Sequence, residues 1–309
     1  MPRIFVEAWD PEYGSSFAPG ELTPSLAEVD PSVEVPAESW KPIPPAREAL
    51  AAERLAFIDG VRRVDALVWI EDGSGATQKG ICASYAAGMV KIERRAEINE
   101  IQVRRRLLTA FSSAAPLETD AGIYAAEPVS GESLAQLFSS LQDRLRLLEI
   151  EVAGSERSLD LVVIDGPLSS HHAREGVVGY IKSHHVSYLE PALERVVGML
   201  SSFERTPLFL TTTSYPRYST YLGLGGDRSH PFSGVVRLEF SAELPLGDVK
   251  RLASLAARTL PRYASVPHKD PRAPQNLFPI GALERELRRR LGDHGIVHRA
   301  LRSAAASSG

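Results

Sequence analysis

Two apolar runs in this chain close on the same dipeptide, and a long amphipathic segment lies between them. Residues 54–60 read RLAFIDG and residues 159–166 read LDLVVIDG, ending at Asp59-Gly60 and Asp165-Gly166. Short apolar segments closed by Asp-Gly predict buried strands that each deliver a carboxylate at the end of a sheet. Between them, Ser130 to Ala153 predicts a helix, because Leu134, Leu137, Phe138, Leu141, Leu145, Leu148 and Val152 recur at steps of three and four. Gly154 is its stop signal. Strand, helix and strand in that order make the chain an α/β protein.

Further elements follow from the same patterns. A strand meander is expected at 54–59, about 65–71 and about 78–92, with Asp72-Gly73-Ser74-Gly75 as a loop. Residues 93–128 show no clear period, and the stretch 91–106 carries six bases and three acids. Strands are predicted at about 207–212 and 234–241, and helices near 189–203, 247–259 and 279–291. Residues 1–50 read as an acidic, proline-rich arm or linker, with one short strand at Arg3–Ala8 and with Phe17, Val35 and Trp40 as apolar contacts. Residues 51–309 read as one domain with a C-terminal helical extension.

No stretch of about 18 apolar residues occurs, so no membrane helix is expected, and the start MPRIFVEAWD has no signal-peptide core. A single cysteine, Cys82, excludes an internal disulfide and a thiolate zinc site, and the cytoplasm is the natural compartment. The net charge of −4 is uneven: residues 1–40 hold eight acids against Arg3 alone, a balance of −7, which leaves +3 on the remainder. Overall acidity therefore does not exclude an anionic partner.

The carboxylates suggest a chemistry. Hydrolysis of a phosphodiester calls for a polarised phosphate, an activated water and a stabilised leaving oxygen, and two Mg²⁺ or Mn²⁺ ions about 3.5–4 Å apart supply all three. Such hard ions take oxygen ligands, so Asp59 and Asp165 are candidate ligands if their strands are neighbours. On the helix, Glu149 falls about 60° from the centre of the apolar stripe and Glu151 about 100° away on the other flank, while Asp143 points opposite. An acid on the shoulder of a buried stripe is costly without a partner. Glu149 is the third candidate ligand, with Glu151 as the alternative.

The order Asp on strand, Glu on helix, Asp on strand is similar to that of ribonuclease-H-like nucleases. The chain more specifically resembles the NurA family, through FIDGVRRVDALVWI, RLRLLEIEVAG, LVVIDGPLS, GYIKSHHVSYLEP, ERTPLFLTTTSYPRYSTYLGL and GVVRLEF, over about residues 54–241. The resemblance implies a ribonuclease-H-like mixed sheet with flanking helices and an N-terminal extended arm. It further implies Mn²⁺- or Mg²⁺-dependent DNase activity, both 5′–3′ exonuclease and single-strand endonuclease, in processing DNA ends for repair. A homodimer working with a HerA-like hexameric ATPase is the implied assembly, with Asp59, Glu149 and Asp165 as the acidic triad. The chain departs from the family near its C-terminus, where a Tyr and a His are expected. Here QNLFPIGALERELRRRLG has Phe278 and no histidine. Tyr263, His268 and Asp270 lie just upstream, and His268 and Asp270 are candidates for the missing role.

Candidate phosphate contacts are Arg62 and Arg63 after the first acidic strand, Lys182 in GYIKSHH, and Arg288, Arg289 and Arg290 on the last predicted helix. The pairs His171–His172 and His184–His185 read as surface or DNA-facing, since adjacent histidines point different ways. Two other readings compete. A sugar- or acetate-kinase-like phosphotransferase also uses Asp-Gly turns, but the glycine-rich stretch Gly223-Leu224-Gly225-Gly226 opens no helix. A non-catalytic adaptor of a DNA translocase has no need of the three carboxylates.

Overall fold

The structure is a computed structural model that describes residues 23–24, 27–46, 48–71, 77–156, 158–170, 174–184, 186–212, 215–226 and 232–307. The expected strand at Arg3–Ala8, Phe17, the loop 72–75, the pair His171–His172 and His185 lie outside the described residues. The strands are β1 (Thr23–Pro24), β2 (Glu28–Asp30), β3 (Leu55–Glu71), β4 (Thr77–Ile92), β5 (Ala96–Thr109), β6 (Leu117–Thr119) and β7 (Gly122–Pro128). Then come α1 (Leu134–Gly154), β8 (Leu161–Asp165), β9 (Val177–Ile181), β10 (Val186–Ser187), α2 (Pro191–Val197), β11 (Phe209–Thr212), β12 (Arg217–Gly223) and β13 (Val235–Ser241). The chain closes on α3 (Leu246–Thr259), α4 (Phe278–Leu291) and α5 (His294–Ser307). The whole is mixed α/β, and among the described residues no helix is long and apolar enough to cross a membrane.

The chain divides into two compact units that interleave in sequence. The first comprises Met1–Phe57, Lys91–Glu97 and Arg157–Gly281. Its sheet runs β2-β11-β12-β13-β9-β8 and is mixed: β8 and β9 are parallel, and the other pairs are antiparallel. At the start of β3, the amides of Asp160 and Leu161 donate to the Arg54 carbonyl. Every residue of β13 is buried, as expected of a strand covered on both faces. Val236, Leu238 and Phe240 pack with Phe57, Val163 and the α3 residues Val249, Ala253 and Ala256, while Val235 faces a second cluster with Trp40, Phe209 and Tyr221. Complete burial of a side chain such as Phe57 or Phe240 stabilises the fold by roughly 1.5–3 kcal/mol.

The arm reading changes here. Residues 28–45 are part of this unit, because β2 pairs with β11, Ile43 bridges to Arg205, and Trp40 is buried against Phe209. The Glu34 carboxylate accepts both guanidinium nitrogens of Arg205 at 2.7 and 2.9 Å, together with the Leu208 amide.

The second unit comprises Ile58–Val90, Ile98–Glu156 and Ala282–Gly309, with strand order β3-β4-β5-β7-β6. The segment 93–128 that showed no clear period forms β5, β6 and β7, with β5 and β7 parallel and β6 and β7 an antiparallel hairpin. On α1, Leu137, Leu141, Leu145, Leu148 and Val152 are buried as the stripe required, while Leu134 is half-buried and Phe138 is exposed. Ser133 and Gln136 form a reciprocal capping box at its start. The helix runs one residue past Ala153 and is capped by Ser155.

Three other expectations change. β3 is one strand of 17 residues, unbroken at Asp59-Gly60, because Val61 and Asp65 continue the burial of alternate positions beyond the glycine. The helix expected at 189–203 stops at Val197, where Gly198 follows. β9, β12 and α5 were not anticipated: β9 and β12 are short and largely buried, and α5 has a weak pattern with only Val297 and Leu301 buried.

Candidate active site

In the second unit, Asp59 lies on β3 with 7 % of its surface exposed, and its Oδ1 accepts the Gly60 amide at 2.8 Å. Glu149, on the buried face of α1, packs directly on Gly60. A Cβ at position 60 would lie 2.6 Å from Leu145 Cδ1 and closer still to Glu149 Oε1. The glycine of the first Asp-Gly therefore serves an approach of helix to strand, whereas the end of a strand was expected there. Glu149 is thus buried where α1 meets β3, on the residue that follows the buried Asp59.

Glu151, the alternative on the helix, has its side chain 56 % exposed and stands 3.5 Å from Arg104. Asp143 is exposed and pairs with Arg146, as its position opposite the stripe required. Arg62 is exposed and donates to Gln142 Oε1 at 2.7 Å. Arg63 instead bonds Asp65 at 2.7 Å and the carbonyls of Gly292 and Leu291 at 2.6 and 3.2 Å. It ties β3 to the end of α4, where unpaired carbonyls favour a cation. Arg288, Arg289 and Arg290 are more than half exposed and pair with Glu284 and Glu286.

In the first unit, Asp165 does end its strand, and Gly166 takes a φ of +130°, a conformation open to glycine. Lys182 Nζ donates to Asp165 Oδ2 at 2.6 Å and to Asn276 Oδ1 at 3.0 Å. Asn276 in turn donates through Nδ2 to Asp270 Oδ2 at 2.6 Å, and Asp270 Oδ1 accepts the Arg272 amide. Asp270 is thus linked to Asp165 through two side chains, while His268 is exposed on a turn. Tyr180 donates to the Gln275 carbonyl at 2.7 Å. Burial, and secondly the Asp165 charge, hold its phenol well above the ordinary range.

Several positioning residues escaped the sequence. Glu239 Oε2 accepts the Leu168 amide at 3.0 Å, and Arg217 donates to the Leu168 carbonyl at 3.1 Å, which pins the loop after Asp165. Arg237 supports Glu239 at 2.9 Å. Gln275 and Asn276 are fully buried. The only hint was polar residues inside strands and a Gln-Asn pair before an apolar helix. His184 corrects the surface reading of the histidines. It is 5 % exposed, bonds the Val235 carbonyl at 3.0 Å and packs against Tyr221 and Phe232.

Within neither unit do three or more described His, Cys, Asp or Glu side chains gather as a group able to hold a metal ion. Asp59 with Glu149 in one unit, and Asp165 with Asp270 and its amide and ammonium partners in the other, are the carboxylate sets.

A search among curated proteins finds no match. The sequence does match the NurA domain over residues 72–280, a span that holds Glu149, Asp165, Lys182, His268 and Asp270 and begins after Asp59. That is more than half of the chain, and the chain belongs to the NurA family, a nuclease-related family.

Proposed function

We propose that this protein is a metal-dependent DNA nuclease of ribonuclease-H-like fold, with Asp59, Glu149 and Asp165 as ligands of Mn²⁺ or Mg²⁺. The observation that carries the reading is the Glu149 carboxylate seated on Gly60, the residue that follows Asp59, with both acids buried. Carboxylate oxygens are the donors that a hard divalent cation selects. The chain succession β3, β4, β5, then α1 and β8 after the short strands β6 and β7, supports the fold assignment.

Bound there, such ions supply a polarised phosphate and an activated water. The chain's own residues do the rest. Lys182 holds Asp165 by one oxygen and is itself a cation available to a neighbouring phosphate. Asn276 and Asp270 keep Lys182 in place, and Glu239 with Arg217 fixes the loop that follows Asp165. Arg62, Arg288, Arg289 and Arg290 supply phosphate contacts, since exposed pairs are worth little and exchange readily.

In the same reading the protein acts as a homodimer with a HerA-like hexameric ATPase. It degrades DNA 5′ to 3′ and cuts single strands while ends are prepared for repair. Family membership supports this. The test is purified protein with labelled linear and circular DNA, with Mn²⁺, without it and with a chelator. ATP-independent, metal-dependent cleavage is expected; an inert protein that binds ATP would favour the phosphotransferase.

A further inference from the structure

The second unit holds a cavity of about 250 Å³ between α1 and the strands β4, β5 and β7, lined by Tyr85, Arg104, Arg106, Glu127, Arg144 and Glu151 among others. Arg104-Arg105-Arg106 ends the basic run that the sequence left unexplained. Alternation along β5 splits it. Arg105 turns away to donate to the Leu291 carbonyl at 3.1 Å, while Arg104 and Arg106 line the cavity. From the helix, Arg144 and Glu151 line the other wall.

The charges do not balance. Glu127 is shared by Arg106, at 3.1 Å, and Arg144, so one carboxylate serves two guanidinium groups. Among the described residues Arg104 faces the Glu151 carboxylate at 3.5 Å, itself more than half exposed, and donates to the neutral Gln102 Oε1 at 2.6 Å. The three guanidinium side chains are 28–37 % exposed, sheltered yet open to solvent. Tyr85, 3 % exposed, adds a phenol; burial pushes it up, and the charges of Arg106, Arg144 and Arg104 pull it down. Planar guanidinium groups presented by one strand and by the helix that faces it match the oxygens of a phosphate.

We propose that this cavity is a phosphate-binding site that takes a phosphate group presented by a nucleic-acid strand, next to the helix that carries Glu149. The proposal rests on the nuclease reading for its ligand source, but its test does not require cleavage.

The wild-type protein is treated with phenylglyoxal, and modified arginines are mapped by mass spectrometry. The probes are a phosphorothioate oligonucleotide or inorganic phosphate. The expected result is protection of Arg104, Arg106 and Arg144 by the oligonucleotide at lower concentration than by phosphate. Arg146, exposed on the same helix, stays reactive. Protection by neither probe overturns the site, and protection by inorganic phosphate alone overturns the nucleic-acid source. The variant R104Q/R144Q should bind the oligonucleotide roughly tenfold or more weaker, given the strength of charge-assisted hydrogen bonds, while R146Q binds as wild type. Equal loss in both variants reduces the cavity to general surface charge and overturns the proposal. Protection without cleavage would count against the nuclease reading alone, and cleavage without protection against this site alone.

Discussion

Lys182 Nζ lies 2.6 Å from Asp165 Oδ2, with both side chains only 14 % exposed, and the same ammonium also reaches Asn276. Removing one member of a buried pair strands the other and costs about 3–5 kcal/mol. Lys182→Met should destabilise the first unit by about 3 kcal/mol, the lower end because solvent reaches the pair. The double variant Lys182→Met with Asp165→Asn should recover much of that loss, since no charge is then left alone. Urea unfolding of the two variants measures the coupling; equal destabilisation in both contradicts it.

Gly60→Ala isolates the helix–strand contact. The added methyl meets the ends of the Leu145 and Glu149 side chains, both on the buried face of α1, and both must shift to admit it. Overpacking of this kind costs about 1–3 kcal/mol. Metal-dependent cleavage should fall far more than the melting temperature explains, because Glu149 is displaced. A variant with lowered melting temperature and full activity would dissociate Glu149 from the chemistry.

Glu34 and Arg205 give a pH prediction. Burial raises the Glu34 carboxyl, but the Arg205 hydrogen bonds and charge and the Leu208 amide outweigh it and hold it below its ordinary 4.5. Because the folded value is depressed, the pair's stabilisation is fully present above about pH 4.5 and is lost as pH falls through the lower folded value. Glu34→Gln should therefore cost stability near neutrality and progressively less below the carboxylate range. Unfolding followed between pH 3 and 7 checks it, and a pH-independent difference contradicts it.

Asp270 and His268 separate cleanly. Asp270→Ala removes the acceptor that holds Asn276, hence Lys182, and should lower single-turnover cleavage with little change in DNA affinity. His268→Ala, at an exposed turn, should be mild. Equal losses would place both at the chemistry.

What the sequence made legible follows from how each signal is encoded. The α1 stripe and the run ending at Asp165 are local periodicities, and α1, β8 and the position of Glu149 are found as expected, whereas the strand through Asp59 runs on to Glu71. Gly60 misled because Asp-Gly is chemically a turn signal; only Glu149, far along the chain, explains why glycine is needed inside a strand. In the arm, Trp40 and Val35 make the apolar contacts expected of them, while the pairing of Glu34 with Arg205, far along the chain, was not legible locally. Likewise the Asp270–Asn276–Lys182–Asp165 chain is assembled from three separate segments, and His184 sits in a core no local pattern announces.

The most direct test of the central claim compares D165N, E149Q and E151Q with wild type for Mn²⁺-dependent cleavage of labelled linear DNA, each with its DNA affinity and melting temperature. Loss of cleavage is expected in D165N and E149Q with folding and binding retained, and near-normal cleavage in E151Q, whose side chain faces solvent and Arg104. Wild-type rates in D165N or E149Q would contradict the assignment of these carboxylates to the metal.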